Sequence, residues 1–148
     1  MRVSRKVLFL LPLLVVALVA MLRTSEVGAG APYVDAVLAR TSAHVDYVIP
    51  AGVQAAVGQD QAIATARRYA NAPASAIAHS ARLGFYSDLA DRNLLVWVVD
   101  LEGISRPAHR QLTTSSVPPR IITREVWMIS ASEPGKAIAS FAALPPLR

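Results

Sequence analysis

Residues 94–99 read Leu-Leu-Val-Trp-Val-Val, and this run decides the fold. It has no polar position, and it is rich in the β-branched and aromatic side chains that favour strands. A strand that is apolar at every position is typical of the centre of a sheet, where both faces are covered. The stretch Asp-Leu-Glu-Gly at 100–103 ends the run. We therefore expect a central strand whose two faces both need apolar partners.

The segments around this run predict a small α+β domain. Residues 60–70 carry apolar side chains at helical spacing, whereas residues 75–86 alternate in the manner of a strand. Residues 120–131 resume as a strand, and Glu-Pro-Gly-Lys at 133–136 has Pro and Gly at the central positions of a type II turn. Residues 136–143 then return as the last strand of a hairpin. We expect one amphipathic helix packed on an antiparallel sheet of about four strands.

The predicted helix has a single apolar stripe. It consists of Ala62, Ile63, Ala66, Tyr69 and Ala70. Ile63 is the largest aliphatic residue of the stripe, whereas Arg67 lies off it. We expect Ile63 to pack on the sheet at Trp97 or Trp127, the two residues predicted to anchor the core. One helix covers only one face of a sheet, so the other face is expected to be covered by residues 33–49, by a partner, or by a second copy.

The N-terminus has the order of an export signal. Three basic residues lie within residues 2–6, and residues 7–22 are apolar at every position but Pro12. The stretch at 24–31 is small and polar, as the region around a cleavage site usually is. A buried core helix would show polar positions at a period near 3.6, and this run shows none. We expect residues 1–31 to be a signal peptide or a membrane anchor.

Cleavage and anchoring both remain open. Val27 and Ala29 occupy the small-residue positions of a cleavage site, which favours a cut after Ala29. The sixteen residues of 7–22 exceed a usual signal core of about 7–15 residues but fall short of the roughly 20 that span a bilayer. Because the basic residues stay on the inner side, both alternatives predict an extracytoplasmic protein, either secreted or anchored by a single N-terminal helix.

Two further segments complete the expected organisation. Residues 32–58 are predicted to be a linker with a short element, and residues 59–148 the α+β domain. Residues 104–119 contain three prolines and a Thr-Thr-Ser-Ser run without an apolar period, which predicts a loop. This loop is an unstructured insertion, a glycosylated segment or a contact for a partner.

Charge and cysteine content argue against several classes of function. The net charge is +5, but Arg2, Arg5 and Lys6 supply three of the fifteen basic residues, and the remaining twelve face ten acidic ones. Such a balance gives no basic stripe for phosphates, so no nucleic acid partner is expected. Cysteine is absent, which excludes a disulfide framework, a thiolate metal site and a catalytic thiol.

The histidines are the first candidates for a chemical site. His44 and Asp46 have the spacing of two ligands on one strand face, with His79 or His109 as a third ligand. Zinc sites usually show a local ligand cluster, which is missing here, so we expect hydrogen-bonded or solvated histidines and no metal site. His79 is expected to be half-buried and hydrogen-bonded.

Other polar residues give no catalytic set. Ser80, Ser87 and Ser130 are not nucleophile candidates, because the chain has no G-x-S-x-G elbow. Asp88 and Asp91 flank a turn, where aspartate bonds to the backbone. The pair Asp100 and Glu102 ends a strand. We therefore expect no catalytic residues, no cofactor and no metal, and a chain that is not an enzyme.

The order of elements from about 60 to 141 resembles the PepSY family of small extracytoplasmic domains. Gln-Ala-Ile-Ala at 61–64 resembles its opening helix, residues 95–99 its middle strand and residues 128–138 its closing hairpin. The family's Asp-Ala-x-Thr-Gly turn is replaced here by Ser-Ala-Ser-Glu-Pro-Gly at 130–135. The resemblance implies a non-catalytic role in the inhibition or regulation of peptidases or in sensing at the cell surface.

These observations favour a binding or regulatory module at the cell surface, with a protein partner in the cell envelope. The partner would be a peptidase or another envelope protein, and the chain would touch the membrane through residues 7–22 if the leader is uncleaved. The alternatives are a structural subunit of an envelope complex and a hydrolase that uses the histidines.

Export should depend on the apolar run. Replacing Leu13 and Leu14 by Arg should block it, because each charge at the centre of such a segment costs about 2.5–3.5 kcal/mol on insertion. Protease accessibility of the C-terminal region in intact cells measures this. Unchanged accessibility of the double variant would contradict the assignment of residues 7–22.

Overall fold

A computed structural model describes residues 31–108 and 120–143, and it shows an α+β fold. The elements in chain order are α1 (Ala31–Leu38), β1 (His44–Asp46), α2 (Gln59–Tyr69), β2 (Ile77–Ser87), β3 (Leu94–Pro107), β4 (Ile121–Ser130) and β5 (Ala137–Phe141). The predicted leader at 7–22 and residues 109–119 of the predicted loop lie outside the described residues. Neither described helix is long and apolar enough to cross a membrane.

The five strands form one antiparallel sheet in the order β1-β2-β3-β4-β5, so every strand pairs with its neighbour in sequence. The expected number of about four strands was too low, because β1 is a fifth strand. It is only three residues long, and Val45 pairs with Tyr86 near the end of β2. A three-residue strand carries too little alternation to be counted from the sequence.

One sheet face is covered by α2. The helix buries Ala62, Thr65 and Ala66 against a cluster that includes Val99 of β3 and Ile129 of β4. Small residues at these positions let the helix backbone approach the sheet closely. The packing of α2 on a sheet face was correctly predicted.

The details of the α2 stripe differ from the prediction. Ile63 is only half-buried at the rim of the cluster, and Tyr69 is 51% exposed although its ring lies 6.1 Å from that of Trp127. Arg67, which lies off the predicted stripe, is half-buried, and its Nη2 donates to the carbonyl oxygen of Ala76 at 2.9 Å. The buried face of α2 therefore includes Thr65, which the predicted stripe did not. The Thr65 hydroxyl donates a hydrogen bond to the carbonyl oxygen of Gln61 at 2.8 Å, so it needs no solvent partner.

The other sheet face is covered by α1. Val34, Val37 and Leu38 are buried there in a second cluster. Its sheet members alternate along β3 and β4 with those under α2; they are Val96, Val98, Val126 and Met128. The second sheet face is therefore covered by residues 33–49, the first of the three alternatives considered. Residues 32–58 contain most of α1 and all of β1.

β3 is longer than predicted, and residues 104–107 belong to it rather than to a loop. The strand bends between Glu102 and Arg106, where its register with β4 shifts. Gly103 adopts a φ of +85°, and a Cβ added to it would lie 3.3 Å from the Cα of Ala76. Both facts require glycine at this position. The bend lets the apolar residue Ile104 turn back into the core, where it is 2% exposed.

The α1 packing can be tested by truncation. Leu38→Ala should lower the free energy of unfolding by about 2 kcal/mol, near the low end for a buried leucine because 8% of this side chain is exposed. Asp35→Ala, on the exposed side of the same helix, should change it by less than about 0.5 kcal/mol. Denaturant unfolding of the two variants measures the contrast, and equal values would mean that α1 does not belong to the core.

Candidate functional site

The structure does not bring the predicted metal ligands together. His44 and Asp46 are exposed on β1, and His44 pairs with Ser87 at the far end of β2. His79 lies eight residues earlier on β2, roughly 26 Å away at the rise of an extended strand. His109 lies outside the described residues. Within residues 31–108 and 120–143, no three potential ligands of the His, Cys, Asp or Glu type form a group.

The serines considered above have roles in local structure. The Ser87 hydroxyl oxygen accepts a hydrogen bond from the backbone N–H of Asn93 at 2.9 Å, across the turn between β2 and β3. The Ser130 oxygen accepts one from the N–H of Glu133 at 2.9 Å. Ser80 pairs with Asp100 in the β2–β3 ladder. The hydroxyls of Ser87 and Ser130 therefore stabilise turns.

Asp88 also belongs to a turn. Its carboxylate accepts hydrogen bonds from the backbone N–H groups of Ala90 at 2.8 Å and Asp91 at 2.7 Å, and from the Tyr86 hydroxyl at 2.5 Å. The Tyr86 hydrogen bond and these two N–H groups lower the pKa of Asp88. Burial and the same carboxylate raise the pKa of Tyr86. Asp88 thus bonds to the backbone, as predicted for an aspartate at a turn.

A buried ion pair joins β3 and β4. Asp100 is fully buried. Arg124 donates two hydrogen bonds to its carboxylate, from Nε to Oδ1 at 2.9 Å and from Nη2 to Oδ2 at 2.7 Å. The bond to Asp100 raises the pKa of Arg124, so the guanidinium stays charged. A bidentate pair satisfies both partners, which a buried carboxylate requires.

Three more residues extend this pair into a network. The Arg124 guanidinium carbon lies 4.1 Å from the centre of the Tyr33 ring on α1, and the Tyr33 hydroxyl donates to the Arg124 carbonyl at 2.8 Å. Glu102 lies 3.8 Å from Arg124 and also pairs with His79. His79 is therefore the hydrogen-bonded, half-buried histidine that we expected, and the network is structural: it joins α1 to three strands.

A second ion pair, between Arg106 and Glu125, lies at the bend of β3. Glu125 is 1% exposed, and its Oε2 has no hydrogen-bond partner in the described part of the chain. Neither pair follows from the sequence, in which Asp100 and Glu102 end an apolar run and Arg106 lies in a predicted loop. The available signal was the presence of Arg124 and Glu125 inside an otherwise apolar strand, although neither spacing nor periodicity could show which acid meets which base.

One open feature of the described fold is the outer edge of β2. β1 pairs only with residues 85–87, and the described chain places no other strand beside residues 77–84. The direction of the backbone groups follows from β3: the Leu95 carbonyl accepts the N–H of Ala131 and so points away from β2. The backbone N–H and C=O groups of its partner Phe85 therefore point away from β3. Those of Leu83 and Ala81 do so too, because these directions alternate along an antiparallel ladder.

A groove of about 530 Å³ lies between this edge and α2. Its helical wall is formed by Asp60, Ile63, Ala64 and Arg67, and its strand wall by Ala76, Ile77 and Ala78. Ile77 is 58% exposed there, which is unusual for a large aliphatic residue in a strand. The groove therefore combines apolar surface with backbone groups that have no strand partner.

A smaller cavity of about 290 Å³ lies at the opposite end of the sheet and includes Asp91, Glu133 and Lys136 in its lining. Lys136 and Glu133 form an exposed ion pair there at 2.7 Å. Of the three lining charges, only Asp91 lies outside this ion pair, and the smaller volume makes this cavity the weaker candidate for a binding site.

Comparison of the chain with protein-family models, with curated proteins and with solved structures finds no match. The fold and the candidate site define a class only: an α+β domain with a helix on each face of an antiparallel sheet and an open strand edge beside one helix.

The Asp100–Arg124 pair should dominate stability. Arg124→Ala should cost about 3–5 kcal/mol, because it leaves a buried carboxylate without a partner. Lys136→Ala, at the exposed ion pair, should cost under about 0.5 kcal/mol. The double variant Asp100→Leu/Arg124→Met should be more stable than Arg124→Ala, since no unpaired charge remains. Denaturant melts measure all three, and an Arg124→Ala loss as small as that of Lys136→Ala would contradict the buried pair.

Proposed function

We propose that this chain is a non-catalytic binding or regulatory module that acts on the outer side of a membrane and takes a protein partner in the groove between α2 and β2. The exposure of Ile77 beside an unpaired strand edge is the observation that carries the proposal. An apolar side chain and free backbone groups on one surface suit a polypeptide ligand better than a small polar one.

The edge itself supports a binding role. Sheet proteins usually protect an exposed edge with proline, lysine or a covering segment. Residues 77–84 contain neither proline nor lysine, and the guanidinium of Arg82 lies 4.0 Å over the Tyr47 ring instead of guarding the groove. A β-bulge between Ala78 and Ser80 protects one end of this edge, but its regular part at Ala81 and Leu83 pairs with no strand of the described residues, which supports a partner there.

The location and the family are parts of the proposal that rest on the sequence. The basic and apolar order of residues 2–22 supports export, and the motifs at 61–64, 95–99 and 128–138 support a PepSY-like domain. The succession of α2 and β2 to β5 agrees with the helix-then-sheet order of that family. On this basis, we propose a peptidase or another envelope protein as the partner.

The enzymatic alternative has less support. A hydrolase that uses histidine needs a nucleophile within hydrogen-bond reach of the ring. In the described ranges, His79 bonds to Glu102, and no serine or threonine hydroxyl bonds to it. His44 lies at the other end of β2 and cannot complement it.

Site-specific photo-crosslinking of the full chain in intact cells tests the groove. A photoreactive amino acid placed at Ile77 or at Ala64 should give the same adduct, because both residues line the groove. The same amino acid at Leu89, which is 90% exposed in the turn between β2 and β3, should not give that adduct.

A groove variant serves as the control. With the photoreactive residue at Ala64, adding Ile77→Asp should lower the adduct yield about tenfold. The reason is that an apolar side chain that becomes buried in a complex can contribute much of the binding free energy. An adduct that forms equally from Leu89, or that is insensitive to Ile77→Asp, would rule out the groove as the binding site.

A further inference from the structure

We propose that the partner offers an extended segment that adds to the sheet as a sixth strand along β2, and that Gln59 and Arg67 occupy its hydrogen-bonding positions while it is absent. This inference rests on the proposed function, because it requires a polypeptide in the groove. It specifies the conformation of the ligand and the backbone groups that recognise it.

The free backbone groups define the length of the added strand. The N–H and C=O groups of Ala81 and Leu83 point away from β3, and β1 pairs with β2 only from Phe85 onward. At the other end, a register shift between Ala78 and Ser80 marks a bulge. The regular part of the open edge is therefore short, and it suits a segment of about four to six residues rather than a long strand.

Gly84 explains why the open edge stops near Leu83. A Cβ at position 84 would come within 2.6 Å of the Cγ1 of Val45 and 3.1 Å of the Asp46 carbonyl. Glycine thus lets β1 reach this edge of the sheet. An added segment would lie end to end with β1 on the same edge, so β1 need not move.

Two side chains of α2 bond to backbone carbonyls of this edge. The Gln59 amide Nε2 donates to the Ala81 carbonyl at 3.3 Å, and Arg67 Nη2 donates to the Ala76 carbonyl at 2.9 Å. An added strand would supply backbone N–H donors for such outward carbonyls. Gln59 is the exchangeable one of the two, because it is exposed and its bond is long, whereas Arg67 is half-buried.

The groove also determines which side chains of the added segment fit beside α2. Alternate residues of an added strand would point toward α2, where they meet Ile63 and Ala64. This part of the helical wall is apolar and lies between Asp60 and Arg67, and the small side chain of Ala64 leaves room for an aliphatic residue. We therefore expect an extended segment with aliphatic residues at every second position.

The test uses the full chain in detergent micelles and a random dodecapeptide display library as the probe. Peptides selected on the chain are resynthesised with single backbone N-methyl groups, which remove one N–H donor at a time. Methylation at alternate positions should weaken binding about tenfold, because a lost N–H leaves an outward carbonyl unpaired, whereas the positions between should change it only slightly. Equal effects at all positions, or no selected peptide, would overturn strand addition.

Variants of the chain test the same edge from the other side. Ala81→Pro removes the outward N–H and should weaken the selected peptides about tenfold, and Gln59→Ala should tighten them severalfold because the competing amide is gone. Peptide binding that is unchanged in folded Ala81→Pro would overturn the proposal. Should Ala81→Pro not fold, the N-methyl scan decides alone.

The two proposals fail differently. If the crosslinks at Ile77 and Ala64 form as expected while peptides bind without alternate sensitivity, the groove is the site but the partner does not add as a strand. If those crosslinks are absent or unspecific, the proposed function itself fails.

Discussion

The whole fold depends on the two-sided burial of β3. Val96 and Val98 lie on one face of this strand, and Val99 and Leu101 on the other, so the strand is stable only if both faces are removed from water. Two helices from different parts of the chain meet this need. α2 covers one face with small residues, and α1, which precedes the whole sheet, covers the other. The N-terminal segment from Ala31 is thus part of the core.

The same two-sided burial explains the ion pairs. A sheet covered on both faces has no solvent-exposed side for a charged residue in its central strands, so Asp100 must find its counter-charge inside. Arg124 provides it from the neighbouring strand and stacks on Tyr33, which connects the pair to α1. The charges that end the apolar run in the sequence thus connect α1 to the sheet, and they are already paired within the fold.

With both faces covered, the backbone groups that have no strand partner among the described residues lie at the edges of the sheet. β1 is too short to cover β2, and α2 runs beside the uncovered part with Gln59 near Ala81 and Arg67 near Ala76. The candidate site is therefore a consequence of strand length and order. Among the described residues, none that the sequence singled out for chemistry lines it, and His79 and His44 lie elsewhere on β2 and β1.

The sequence alone determined the class α+β, the central strand, a helix over about 60–70 and the turn at Gly135, whose φ of +72° fits the predicted glycine position. These features follow from local periodicity and turn chemistry, which act over a few residues. Tertiary structure decided that Asp100 meets Arg124, that β1 pairs with the end of β2, and that no other described strand pairs with the edge beside α2. Such features depend on register between distant strands, where many alignments satisfy the same apolar pattern and only packing of the complete core selects one.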